Sequence, residues 1–128
     1  MLSIAACAAG KAMPDPAPPP GVVRFAEERS FNPLVDAAEV DLLRDLRRDY
    51  GPLEALRWKV PRPLSFEQLV AHYRAQLGTD WKEDSRFAGP SNTNRRVLFT
   101  REGKVVALAY VDPPGADIAV LVVARSAK

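Results

Sequence analysis

Proteins draw catalysis and metal binding from a short list of side chains, and this 128-residue chain holds few of them in workable spacing. It has one histidine, His72, and one cysteine, Cys7. An imidazole is the usual proton carrier near neutral pH, but it needs a partner to act on or to be oriented by. His72 stands in helical register with Gln68 and Gln76, so it reads as a solvated helix residue. No Gly-x-Ser-x-Gly elbow offers a nucleophile, and no glycine-rich loop cradles a phosphate. Glu83-Asp84 lacks the spaced oxygen ligands of a calcium loop. The lone thiol has nothing nearby to lower its pKa and cannot close an intrachain disulfide. The expectation is a non-enzymatic protein with no catalytic residue, no metal ligand and no cofactor.

The positive charges are next. The net charge is +2, with a slight acidic excess over residues 1–84 and a basic excess over 85–128. Nucleic acid needs a dense basic stripe, preferably interleaved with stacking aromatics. Here the only doublets are Arg47-Arg48 and Arg95-Arg96, so no nucleic-acid partner is expected. Arg44, Arg47 and Arg48 close a helix that Asp36, Glu39 and Asp41 open, an order that complements the helix dipole. Pairs Asp41–Arg44 and Asp45–Arg48 at i,i+3 account for them further. Arg95, Arg96 and Arg101 read as charges guarding strand edges.

No run approaches the ~18 apolar residues that span a bilayer. Twelve prolines are many for such a chain, and five of them lie between Pro14 and Pro20. That stretch should be an extended tether with no packed core. Ahead of it, Ile4-Ala5-Ala6-Cys7 resembles a bacterial lipobox, in which an aliphatic and two small residues precede the cysteine that takes the lipid. A signal also has a basic and an apolar region before that site, so the expectation is a clipped N-terminus whose true start lies upstream. The resemblance implies lipid on Cys7 and a membrane anchor. Ala8, in the place of an aspartate retention signal, implies the periplasmic side of an outer membrane, or else secretion. With no lipobox the location would be cytoplasmic.

The remaining chain divides by periodicity. Residues 36–50 read as a helix with Asp36 as N-cap, a Glu39 capping box and a Val35–Val40 staple; Leu42, Leu43, Leu46 and Tyr50 share a face, and Gly51-Pro52 ends it. Residues 53–60 alternate as a half-buried strand, Leu56, Trp58 and Val60 on one side, Arg57 and Lys59 on the other. Residues 65–77 read as a second helix, capped by Ser65 with Gln68, with Phe66, Leu69, Val70, Tyr73 and Leu77 buried. Gly78 ends it, and Trp81 folds back as an anchor. Residues 83–94 have loop composition, and Phe87 within it reads as a possible contact point. Three strands follow, over 95–100, 104–111 and 118–124, the first two joined across Arg101-Glu102-Gly103. Residues 22–25 either add a short strand or lie on the domain.

The stretch from Ser65 to Trp81, with Tyr73, Leu77, Gly78 and Trp81 in place, is similar to a small domain of bacterial lipoproteins and secreted proteins of unassigned function. In those a strand ending in proline leads to a helix, a Gly-Trp turn and a β-meander. The resemblance implies a fold over about 53–124 and no active site.

The fold class expected is therefore α+β: a four-stranded, mainly antiparallel sheet, elements in the order α-β-α-β-β-β, packed with two helices in two layers. Residues 1–30 form the signal remnant and tether, and 31–128 a single domain. The last two strands carry no charge over 105–111 and 118–124, a pattern typical of strands covered on both faces. The second helix covers the row Val106, Leu108, Tyr110. The alanine-bearing row Val105, Ala107, Ala109, Val111 admits the first helix, or else both helices share one face and a partner covers the other. On that second view Ala119, Leu121 and Val123 join Phe87 as interaction residues. The function expected is a cell-envelope lipoprotein domain that binds or supports another envelope protein. The alternative is a small-ligand or lipid-binding domain using an apolar sheet face.

Overall fold

The structure, a computed structural model, describes residues 13–25, 33–61, 64–84, 94–115 and 118–127. Cys7 and Phe87 lie outside the described residues. The elements in chain order are β1 (Val23–Arg24), α1 (Pro33–Tyr50), β2 (Leu53–Val60), α2 (Phe66–Leu77), β3 (Lys82–Asp84), β4 (Asn94–Arg101), β5 (Lys104–Val111) and β6 (Ala119–Ser126). The strands form one sheet in the order β1-β2-β6-β5-β4-β3, every neighbouring pair antiparallel.

The α+β class holds, but the sheet has six described strands and not four. The two further strands are its short edges, and the first is the short strand offered as one reading of residues 22–25. Val23–Arg24 is two residues long, and Lys82–Asp84 carries only charged side chains. Neither leaves a periodic trace in sequence, and both suit a sheet edge, where shortness and charge discourage further pairing. Of the two layerings expected, the one with a helix on each face is present. The helices lie on opposite faces, so the molecule has three layers and not two. Val105, Ala107, Ala109, Val122 and Ala124 pack with Leu42 and Leu46 of α1. Val106, Leu108, Tyr110, Ala119, Leu121 and Val123 pack with Leu69, Val70 and Tyr73 of α2. Alternation along β5 and β6 sends successive side chains to opposite faces, and each face receives its own helix.

The long helix starts three residues earlier than its capping signals predict. Pro33 occupies the first turn, where its missing N–H costs nothing and its φ is already helical. Asp36 is inside the helix and binds Arg57. Val40 is 60% exposed, so the staple expected with Val35 does not form; Val35 is buried with Phe25, Ala38, Val111 and Val120. The Asp41–Arg44 pair is present at 2.8 Å. Asp45 instead reaches Arg96 at 2.9 Å. At the far end the Gly51 N–H bonds the Arg47 carbonyl at 2.9 Å, with Gly51 at φ 72°, the left-handed position at which glycine is favoured.

The second helix matches its sequence signals. The Gln68 N–H donates to Ser65 Oγ at 3.1 Å, and the Ser65 N–H donates to Gln68 Oε1 at 2.8 Å. Its closest backbone approach is to β4, whereas α1 approaches β5, β6 and β2. That offset leaves the β2–β6 flank of the α2 face to be covered by something else. Residues 13–22, expected as tether, lie there: Met13 packs against the α2-side core and Val22 belongs to it.

Candidate functional site

The β2–β6 flank of the α2 face is built from two strands. Along β2, alternation presents Glu54, Leu56, Trp58 and Val60 to this side, and along β6 it presents Val123 and Arg125. The register pairs Leu56 with Val123 and Glu54 with Arg125, so an apolar pair adjoins an ion pair. With Asp15 and Pro16 from the proline-rich segment, these residues line a cleft of about 340 Å³. Its floor is Leu56, Trp58 and Val123; its rim is Asp15, Glu54 and Arg125.

The rim has a distinct electrostatic character. Arg125 Nη2 lies 3.2 Å from Glu54 Oε1, and its Nε lies 4.0 Å from Asp15 Oδ1. The Arg125 side chain is only 15% exposed, and its Nη1 is buried with no hydrogen bond among the described residues. Two exposed carboxylates therefore face one largely buried guanidinium. This can orient a polar main chain or side chain over an apolar floor. Its described lining holds no imidazole, hydroxyl or thiol; its titratable groups are the Asp15 and Glu54 carboxylates and the Arg125 guanidinium.

His72 lies on the other side of the proline-rich segment. Its Nε2 is 2.7 Å from the Ala17 carbonyl oxygen. A carbonyl only accepts, so the ring nitrogen donates. The ring also stands edge-on to Tyr73 with centroids 5.5 Å apart. The residue expected to be merely solvated thus holds a segment 55 positions away. Beneath it, Tyr73 is fully buried and its hydroxyl makes no hydrogen bond among the described residues. Burial pushes its phenol up to about 12.

The arginines that sequence placed at strand edges have intrachain roles. Arg95 lies over the Phe66 ring at 4.5 Å and binds Glu67 at 2.7 Å. The Glu67 carboxyl is held below its ordinary range by its own backbone amide first, then by Arg95. Arg101 lies over the Trp81 ring at 4.8 Å. Arg96 crosses to α1 through Asp45. Among the described residues no cluster of His, Cys, Asp and Glu is placed to hold a metal ion, and no helix is long and apolar enough to cross a membrane.

Of the residues singled out for interaction, Ala119 and Leu121 are fully buried under the α2 side and Val123 forms part of the cleft floor. Asp15, Pro16, Glu54 and Arg125 were not singled out. The traces they leave are small: a lone arginine ending an uncharged strand, and the Glu54-Ala55-Leu56-Arg57-Trp58 alternation beside it. Compared with known proteins, the chain matches no family, no curated protein and no solved structure.

Proposed function

We propose that this chain is a non-enzymatic interaction module of the bacterial cell envelope, held at the membrane by lipid on Cys7 and docking a partner protein along the Leu56–Trp58–Val123 cleft. The observation that carries the reading is the cleft itself. It pairs an apolar floor with a charged rim, the composition of a protein contact whose apolar centre is ringed by polar groups. Its volume of about 340 Å³ is near the lower bound for sites that enclose a small molecule. An open trough of that size suits a segment laid along it. The envelope location rests on Ile4-Ala5-Ala6-Cys7 and the proline-rich stretch behind it.

One experiment with two arms tests this in cells making the natural full-length product. A photo-crosslinking amino acid at Leu56 is expected to yield a discrete protein adduct, and the same group at Arg48 on the far helix none. Cys7→Ala is expected to move the protein out of the membrane fraction. A mass increase of a few hundred daltons at position 56 in place of a protein adduct favours the small-ligand alternative. No adduct of either kind removes the docking reading, and unchanged membrane association of Cys7→Ala removes the anchor.

A further inference from the structure

We propose that the groove between α2 and β2 recognises an extended proline-rich peptide, and that residues 13–22 of this chain occupy it in cis. The proposal rests on the interaction-module reading and names the partner's chemistry. Pro14, Pro16, Pro18, Pro19 and Pro20 fix their own φ and have no N–H to offer a sheet, so the segment is extended and its carbonyls are available. Its burial alternates over 14–18, with Asp15 and Ala17 exposed and Pro14, Pro16 and Pro18 half-buried; Pro19, which follows, is buried. An extended ligand that presses every second residue against a surface has this pattern.

Three contacts set its register. Asp15 Oδ1 lies 4.0 Å from Arg125 Nε. The His72 Nε2–H donates to the Ala17 carbonyl at 2.7 Å. The Val22 N–H then bonds the Pro19 carbonyl at 3.2 Å, with Gly21 at φ 89°. This is a turn with proline then glycine at its centre, of the kind that needs a positive φ at its third residue. It feeds the chain into β1. Trp58 lines the same cleft as Pro16, and the His72 ring bonds the Ala17 carbonyl. Aromatic-lined grooves take proline-rich segments because a preformed extended chain loses little entropy on docking.

The segment is held as a ligand is held. Among the described residues its polar contacts with the rest of the chain are one hydrogen bond from a half-buried histidine and one ion pair at the distance limit, where solvent screening is strong. The groove floor comes from β2 and β6, which pair fully with each other. A tethered occupant of this kind acts at an effective concentration on the order of millimolar. It therefore masks the groove from a weaker partner and yields to one presented at higher affinity.

The test uses the full chain and a capped synthetic peptide with the sequence of residues 13–22. Two variants loosen the strap: Pro16→Gly with Pro18→Gly, which raises the entropy lost on docking, and His72→Ala at a half-buried position. Amide signals of β2 and β6 and the Trp58 indole signal are followed on titration. The peptide is expected to bind each variant at least about tenfold more tightly than the unaltered chain, because the cis competitor is weakened. A peptide with every proline replaced by alanine is expected to bind about tenfold less well than the proline-rich one. Equal binding of the two peptides overturns the proline preference but leaves the interaction-module reading standing. No shift with either peptide overturns the groove, and the crosslink at position 56 then decides the broader reading separately. Loss of the folded state in the Pro16→Gly, Pro18→Gly variant overturns the proposal as well, since the strap would then be core.

Discussion

On one face of the sheet an 18-residue helix approaches β5, β6 and β2; on the other a 12-residue helix approaches β4, and a proline-rich strap covers the remaining flank. The first face is floored with small residues, among them Ala55, Ala107, Ala109 and Ala124. These let α1 settle close to the strands. Ion pairs tie the helix to strands on either flank: Arg57 of β2 bonds Glu39 at 2.8 Å and Asp36 at 2.9 Å, and Arg96 of β4 bonds Asp45 at 2.9 Å. Burial alone would lower the Arg57 pKa, but its hydrogen bonds to Glu39 and Asp36 outweigh that and hold it above the ordinary value. The second face is floored with large residues, Phe99, Leu108, Tyr110, Leu121 and Trp58 among them. No single helix can lie flat across so uneven a surface. Its cover is made in pieces, and the seam between the pieces is the cleft.

The comparison can be broken at its most sensitive point by Leu121→Arg. Leu121 is fully buried on the α2 side, and an unpaired charge there has no route to water. The variant is expected to lose the cooperative melting transition and the dispersed amide spectrum. A folded, soluble variant would show that the pieced cover opens far enough to release a core side chain, and that the two faces differ more than the static packing implies.

A matched pair of truncations measures the asymmetry. Leu46→Ala removes a fully buried side chain under α1 and is expected to cost about 2–5 kcal/mol in chemical denaturation. Leu56→Ala removes a half-buried side chain from the cleft floor, and its cost is expected to stay below about 1.5 kcal/mol. Equal costs would mean that the cleft is sealed in solution and that the seam is not a site.

The smallest effect concerns Tyr73. Its hydroxyl is buried without a hydrogen-bond partner among the described residues, so Tyr73→Phe is expected to raise stability at neutral pH by about 1 kcal/mol. The phenol is pushed up to about 12 in the folded protein, against about 10 in an unfolded chain. The folded state holds this proton longer. The stability linked to it is therefore complete below about pH 10 and is lost as pH rises through about 12, a fall on the order of 2–3 kcal/mol. Melting curves of the two proteins from pH 9 to 12 are expected to show the steeper decline only in the protein that keeps Tyr73. If Tyr73→Phe is destabilising at pH 7, the hydroxyl is bonded in solution and the α2 face is better filled than its neighbours suggest.

Much of this architecture was legible because it is local. The capping box at Ser65 and Gln68 involves residues three apart. The stop at Gly51 and Pro52 needs only the φ that each residue allows. The two rows of β5 follow from the pleat, and their difference in size, alanine against leucine and tyrosine, already sorted the faces by how near a helix could come. Other features lay beyond that reach. Which of its two readings Val23–Arg24 took, and that Lys82–Asp84 pairs at all, depended on a neighbouring strand's free edge, since two or three residues carry no period of their own. Asp45 had an arginine three residues on in its own helix, yet it pairs with Arg96, 51 positions away. His72 had no partner within reach of its helix, and it found the Ala17 carbonyl only because the chain returns across the sheet. Short-range geometry is set by each residue's own dihedral and rotamer preferences, so sequence determined it directly. The occupancy of a polar side chain, an edge or a cleft depends on which distant segment arrives there, and that is decided when the core closes and brings the segments together.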